Sequence, residues 1–243
     1  MQAIILAGGK GTRLKPFTLV YPKPLLPVGG KPIIDTIVRQ LIYYGFKEII
    51  VSAGYMGDMI KLYFDSISEF NSQANINVVL EDQELGTAGP ISIIDGLQEN
   101  FMVINGDILT SMNFSNLMEF HNQKNSLMTM AVGKKKINLS LGIIELNKND
   151  EITEFSEKPE FEFNDNMGIY VYNKKILNFM KEGNRIDVDS LVKILLEKNK
   201  EVYGYLSDAS YYWIDIGQHA DYEIANENFE IHKKEFLPNK SPY

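Results

Sequence analysis

The chain contains no cysteine, which excludes disulfide stapling, thiolate catalysis and cysteine metal ligation together. That absence fits a reducing compartment, and a cytoplasmic protein is expected. Histidine is scarce. His121, His219 and His232 are the only three, and none stands beside a serine or acid in a pattern that reads as a triad. Basic charge is also short: 24 Lys and Arg against 32 Asp and Glu leave a formal net charge of −8. A nucleic-acid partner is therefore not expected, because such proteins carry a basic surface. No apolar run approaches the length of a membrane span, and no charged leader precedes one, so neither anchor nor signal is read.

At 243 residues the chain is long enough to bury roughly three quarters of its unfolded surface, and a packed core needs no staple. It reads as a single domain. The densest information lies at the start. An apolar run, Ala3 to Ala7, enters Leu6-Ala7-Gly8-Gly9-Lys10-Gly11-Thr12-Arg13-Leu14. Glycines allow close backbone approach and inward-pointing amides, which suit a phosphate or a base edge. Arg13, and Lys23 within Pro22-Lys23-Pro24, add the charge that amides lack. Gly29-Gly30-Lys31-Pro32 follows. A Walker A loop fails there, since Pro32 stands where Ser or Thr is required, and a dinucleotide fingerprint fails because Leu14 replaces its third glycine.

Further on, strand-like runs at Gln2 to Ala7, Glu48 to Ala53, Ile76 to Leu80, Phe101 to Ile104 and Leu127 to Val132 alternate with helical patterns. Helices are expected from Pro32 to Gly45, near Met56 to Phe64, through Ile91, Ile94 and Leu97, and around Leu117 to His121. In the second half, Leu141 to Leu146, Glu151 to Phe155 and Met167 to Tyr172 read as strands with little helix between them. Helices are expected again at Lys174 to Met180, Asp189 to Lys198 and His219 to Phe229, with strands at Val202 to Leu206 and Tyr211 to Ile216. The polar patches near Asn147 and Asn164 read as surface turns. The alternation predicts an α/β fold: a mixed, mainly parallel sheet flanked by helices, with a small additional β region in the second half.

Two aspartates sit where metal chemistry would be useful. Asp107 closes Asn105-Gly106-Asp107 at the end of an apolar strand, where open α/β sheets bind ligands. Asp215, within Trp213-Ile214-Asp215-Ile216-Gly217, follows the aromatic-rich Tyr211-Tyr212-Trp213, and an unpaired acid buried in such a strand would be costly. A turn cap and a structural ion pair are their plain alternatives.

With the opening loop, Pro16, Leu25-Leu26-Pro27, Gly86-Thr87-Ala88-Gly89 and Glu157-Lys158-Pro159, these segments form an ordered set. The set resembles the sugar-1-phosphate nucleotidyltransferases over nearly the whole chain, and most of all the catalytic domain of GDP-mannose pyrophosphorylases. The resemblance implies a Rossmann-like nucleotidyltransferase fold, with a nucleotide-binding half at about 1–135 and a sugar-phosphate-binding half at about 136–243. Larger relatives append a β-helix, and the tail from Phe229 to Tyr243 is too short for one.

It also implies the site. Leu6, Ala7, Gly8, Gly9, Gly11, Thr12, Arg13, Lys23, Glu81, Gly86 and Thr87 would hold the nucleotide, with Arg13 and Lys23 catalytic. Gly106, Gly142, Glu157, Lys158 and Asn166 would hold the sugar phosphate, and Asp107 and Asp215 would hold Mg²⁺. Met167 departs from the smaller residue usual in the family.

The expected reaction is attack of a sugar 1-phosphate on the α-phosphorus of a nucleoside triphosphate, releasing pyrophosphate. The attacking oxygen is ionised at neutral pH and needs no general base. Catalysis would rest on positioning and electrostatics. The resembled enzymes read the base in the loop Glu81 to Thr87, where the carboxylate of Glu81 suits the adjacent N1–H and N2–H₂ donors of guanine and favours GTP. The resemblance to GDP-mannose pyrophosphorylases implies mannose 1-phosphate or a related hexose or heptose 1-phosphate. Thymidylyl or uridylyl transfer stays open, as does cytidylyl transfer to a phosphorylated alcohol. A non-catalytic regulatory homologue would not need the full set of charged residues. Whether identical chains associate is not legible.

Overall fold

Short apolar runs become central strands here because both faces of the sheet are covered. The computed structural model describes residues 1–207 and 210–237. In chain order the elements begin with β1 (Gln2–Ala7), a small hairpin of β2 (Pro27–Val28) and β3 (Lys31–Pro32), and α1 (Ile33–Tyr43). Then come β4 (Glu48–Ala53), α2 (Gly57–Ser66), α3 (Ser68–Asn71), β5 (Asn75–Leu80), β6 (Asn100–Asn105), β7 (Ile108–Thr110) and α4 (Phe114–Lys124). The second half supplies β8 (Met128–Asn138), β9 (Ile143–Leu146), β10 (Ile152–Ser156), β11 (Glu160–Asn173), α5 (Val188–Glu197), β12 (Val202–Leu206), β13 (Trp213–Asp215) and α6 (His219–Phe236).

Seven strands form one sheet in the order β12-β8-β11-β6-β1-β4-β5. All neighbours are parallel except β11, which runs antiparallel to both β6 and β8. This is the mixed, mainly parallel α/β sheet expected from the alternation. The carboxyl ends of β1 and β6 lie side by side, with Leu6 in register with Asn105. One apolar layer, which includes Ile5, Ile34, Ile37, Ile104 and Phe229, packs on one face of the sheet. Another, with Ile4, Ile91, Val103, Tyr172 and Leu191, packs on the other. Side chains alternate along β1 and β6 to feed the two layers.

Several local expectations change. The segment through Ile91, Ile94 and Leu97 forms only a 3-10 helix, Gly89–Ile93, although all three side chains are buried. Gly96 takes a left-handed φ of 72°, so the backbone turns where a helix would need to continue. The run from Lys174 is likewise a 3-10 helix, Lys174–Phe179. Asn164 is not in a turn. It lies inside β11 opposite Lys134, because β8 and β11 continue beyond the sheet as a two-stranded ribbon. Asn147 does form a turn, its side chain accepting from the amides of Asn149 and Glu151.

Gly29-Gly30, which sequence placed among the loop motifs, is the turn of the β2–β3 hairpin. Both residues have positive φ, 60° and 80°, as a tight two-residue hairpin turn requires. The final helix runs past Phe229 to Phe236 and buries both side chains. The expectation of no β-helix in the tail falls partly on residues 238–243, outside the described residues.

Candidate nucleotide-binding and transfer site

β1 delivers the glycine loop to the carboxyl edge of the sheet, and neighbouring segments tie it down. Gly11 takes a left-handed φ of 59° at the start of a 3-10 turn, Thr12–Leu14. The Thr18 hydroxyl donates to the Gly11 carbonyl at 2.8 Å. The amide of Tyr55 donates to the Gly8 carbonyl at 3.2 Å, and the Tyr55 hydroxyl donates to the Thr18 carbonyl at 3.0 Å. A Cβ at Gly8 would stand 2.8 Å from Oε1 of Glu81, so any side chain there would displace that carboxylate. The loop is thus held from behind while its front stays open.

Two cavities open in front of it. The first, of about 330 Å³, is lined by Gly8, Gly9 and Lys10 of the glycine loop and by Glu81 and Glu84 to Thr87, together with Asn105, Asp107, Arg185 and Asp187. The second, of about 240 Å³, is lined by Gly11, Thr12, Arg13, Lys23, Gly106 and Asp107. Leu6, Gly9 and Asp107 border both, so the two form one continuous surface.

Within the first, Ser52 at the end of β4 donates to Oε1 of Glu81 at 2.9 Å, and the Leu85 amide also donates to that carboxylate. Burial pushes the Glu81 carboxyl above the ordinary glutamate range, and these two hydrogen bonds pull it back. Its carboxylate is therefore oriented before any ligand arrives. Thr87 is engaged structurally: its amide donates to Oδ1 of Asp187 at 3.0 Å, and its hydroxyl accepts from the Val188 amide at 2.9 Å, capping α5. Backbone bonds from Ala88 and Gly89 to the Ile186 carbonyl, and from Ile186 to Leu85, latch the two segments together.

The charged centre lies where β6 ends. Lys23 is only 8 % exposed, and its ammonium donates to Oδ2 of Asp107 and stands 3.9 Å from Oδ1 of Asp215. Register explains the meeting. β13 pairs antiparallel with β7 so that Asp215 faces Ile108, and the Ile216 amide donates to the Asp107 carbonyl at 3.1 Å. Two aspartates more than a hundred residues apart are thereby placed together.

Burial and then the Asp107 charge push the Asp215 carboxyl above its ordinary value, with Lys23 and Arg13 opposing. Oδ1 of Asp107 is buried with no hydrogen-bond partner among the described residues. A buried, unpartnered carboxylate oxygen beside a second carboxylate is a fitting place for a hard cation. Among the described residues no group of three or more His, Asp or Glu side chains could hold a metal. The fit is therefore to an ion that takes one or two protein carboxylates and completes its shell with substrate oxygens and water, as Mg²⁺ does.

The residues expected to hold the sugar phosphate are more scattered. Gly106 lies in the second cavity beside Lys23, and its amide donates to the Leu6 carbonyl. Asn166 donates to the Tyr170 hydroxyl at 2.9 Å and accepts from the Gly168 amide. Burial and then the charges of Asp107 and Asp215 raise the Tyr170 hydroxyl, while the Asn166 hydrogen bond opposes them. Gly142, Glu157 and Lys158 sit together at the open end of the β9–β10 hairpin, where a Cβ at Gly142 would meet Oε2 of Glu157 at 3.1 Å. All three are exposed, and they line neither cavity. Lys158 has a left-handed φ of 47°, a conformation unusual for a side chain of its size.

Met167 is fully buried. Its sulfur packs against the Tyr211 hydroxyl, and its carbonyl accepts from the Trp213 indole at 3.0 Å. It therefore fills the core. The histidines stay out of the site: His121 is buried against Thr129, His219 bonds the Lys15 carbonyl, and His232 lies beside Glu235 on α6.

Sequence reasoning did not place Lys10, Asn105, Arg185 or Asp187 in the site. Lys10 was legible in principle, because it stands inside the glycine loop. Arg185 and Asp187 were not, because only the latch between 85–89 and 184–187 brings them there.

The fold and the charged centre together define a nucleotide-handling α/β domain. The sequence pattern of the Nucleotidyl transferase family matches residues 2–231, and the chain belongs to that family. It is 31 % identical over 228 residues to the mannose-1-phosphate guanylyltransferase of Mycobacterium tuberculosis, covering 91 % of this chain and 62 % of that protein. It is 34 % identical to the D-glycero-alpha-D-manno-heptose 1-phosphate guanylyltransferase of Aneurinibacillus thermoaerophilus, covering 95 % of this chain and 99 % of that one. The crystal structure of HddC from Yersinia pseudotuberculosis complexed with GMP-PN superposes with a TM-score of 0.69 at 25 % identity, over 94 % of this chain and 99 % of the other. The chain thus spans about 62 % of the length of some curated relatives and nearly all of another.

Proposed function

We propose that the protein transfers a guanylyl group from GTP to mannose 1-phosphate or a related hexose or heptose 1-phosphate, giving a GDP-sugar and pyrophosphate. The observation that carries this reading is the convergence of buried Lys23 with Asp107 and Asp215, where Asp107 also lines the cavity that holds the oriented Glu81 carboxylate. The names of the relatives, guanylyltransferases acting on mannose or heptose 1-phosphate, support it.

In this reading guanine enters the first cavity and gives its N1–H and N2–H₂ to Glu81. The triphosphate runs along the amides of Gly8 to Thr12 towards the second cavity. Lys23 faces the α-phosphate, and Arg13 holds the charge that develops on the departing pyrophosphate. Lys158, with Glu157 beside it, draws in the sugar phosphate, whose ionised oxygen attacks in line. Asp107 and Asp215 would hold Mg²⁺. When bound, that ion would neutralise phosphate charge between the two anionic substrates. Lys23 already neutralises part of the same acidic pair and keeps the two carboxylates from repelling one another apart.

Pyrophosphate release with Mg²⁺, from GTP, dTTP, UTP and CTP against mannose, glucose and heptose 1-phosphates, tests the assignment. Turnover is expected with GTP. Absence of turnover in every combination refutes the enzyme reading, and turnover with dTTP alone refutes the base. CTP with choline phosphate is expected to give none.

A further inference from the structure

We propose that Arg185 is a second base-reading residue, which accepts only a purine carrying an oxygen at position 6 by donating to the O6 and N7 atoms of guanine. The inference rests on the guanylyl-transfer reading and deepens it.

A carboxylate at Glu81 satisfies the two donors of guanine's pairing edge but leaves O6 and N7, both acceptors, without donors. Leaving them bare in a partly desolvated pocket is costly. The backbone nearby has little to offer. The Leu85 amide donates to Glu81, the Thr87 amide to Asp187, and those of Ala88 and Gly89 to the Ile186 carbonyl. Among the described residues the Gly86 amide makes no hydrogen bond, so the backbone of this segment can offer one donor to two acceptors and a side chain must supply the rest. Two cations line this cavity. Lys10 is already in contact with Glu84 and sits on the phosphate side, within the glycine loop.

Arg185 is the other. Among the described residues its guanidinium makes no hydrogen bond, only loose ion contacts of 3.5 Å to Glu84 and 3.8 Å to Asp187. Those two acids aim it without consuming its donors. Asp187 is itself fixed, because its Oδ1 accepts from the Thr87 amide. The latch between 85–89 and 184–187 sets this wall beside the one that carries Glu81. A planar guanidinium offers a fork of donors that matches O6 and N7 together. Adenine presents an amino donor in place of O6, and pyrimidines have no N7, so both lose this contact.

The test uses the whole protein with GTP, 7-deaza-GTP and ITP. ITP keeps O6 and N7 but lacks the N2 amino group read by Glu81. 7-Deaza-GTP keeps the pairing edge and lacks N7. In the wild type, kcat/KM is expected to fall about tenfold or more with 7-deaza-GTP, chiefly through KM. In Arg185→Leu and Arg185→Gln the GTP value falls to the 7-deaza-GTP level and that penalty disappears, while the ITP penalty remains. Arg185→Lys restores part of it. Wild-type turnover of 7-deaza-GTP equal to GTP, or a 7-deaza penalty unchanged in the variants, overturns the inference alone. A wild type that uses none of these nucleotides overturns the guanylyl reading and this inference with it.

Discussion

The two halves of the site are built to different standards of rigidity. On the nucleotide side, Lys23 is buried between two aspartates, Glu81 is pinned by Ser52 and Leu85, and the glycine loop is tied through Thr18 and Tyr55. On the other side, Gly142, Glu157 and Lys158 flank the open end of the two-stranded β9–β10 hairpin and all lie open to solvent. A two-stranded hairpin is only marginally stable by itself. Groups aligned in advance contribute where charge changes in the reaction, whereas a hairpin lysine in water contributes mainly by attracting an anion. In the proposed reading, the reaction's electrostatics fall to the sheet and the capture of the second substrate to its extension.

The comparison can be broken first at the centre. Asp107→Asn keeps the size and shape of a side chain whose Oδ2 meets Lys23, so the fold is expected to survive. Turnover in Mg²⁺ should fall by about 10²–10³-fold, the scale for losing one pre-aligned electrostatic group. Near-parental activity would show that the buried centre is structural. At the opposite extreme of rigidity, Lys158→Ala is expected to raise KM for the sugar 1-phosphate by about tenfold, with kcat changed far less and the melting temperature unmoved. A kcat loss as large as that of Asp107→Asn would erase the distinction between the halves.

The smallest effect belongs to a residue in neither half. His121 is buried, and burial lowers its imidazole from 6.5 to about 4. The neutral form is the folded one, so this contribution is present above pH 6.5. It is lost as the pH falls from there towards 4, where only the unfolded chain takes up the proton. His121→Gln should therefore leave activity at pH 7 unchanged and flatten the decline in melting temperature between pH 6.5 and 4. An unaltered pH slope would contradict the assignment.

What the sequence discloses follows the range of the forces involved. β1, β4 and β12 are legible to the residue, because each is an apolar or β-rich run between turn signals. α1 is legible from its apolar stripe. The 3-10 segment at Gly89–Ile93 is not, since Ile91, Ile94 and Leu97 are spaced as in a helix yet the chain turns at Gly96. The ribbon around Asn164 is not either. Its strand pairing comes from β8, about thirty residues away, and not from a local pattern.

The site divides in the same way. Arg13, Lys23, Asp107 and Asp215 stand in motifs, and the structure gathers Lys23 and the two aspartates. Arg185 and Asp187 enter through backbone bonds across about a hundred residues, which leave no mark in the sequence around them.

The central claim is that base choice resides in the rigid half, where the pinned Glu81 carboxylate reads the two donors of guanine. It is tested most directly by the ratio of kcat/KM for GTP to that for dTTP, measured in the wild type and in Glu81→Gln. The wild type should favour GTP by at least about tenfold, as one matched pair of hydrogen bonds discriminates. The variant, whose amide both donates and accepts, should lose most of that preference, with the remainder held by the Arg185 contact. A ratio that the substitution leaves untouched would contradict the account.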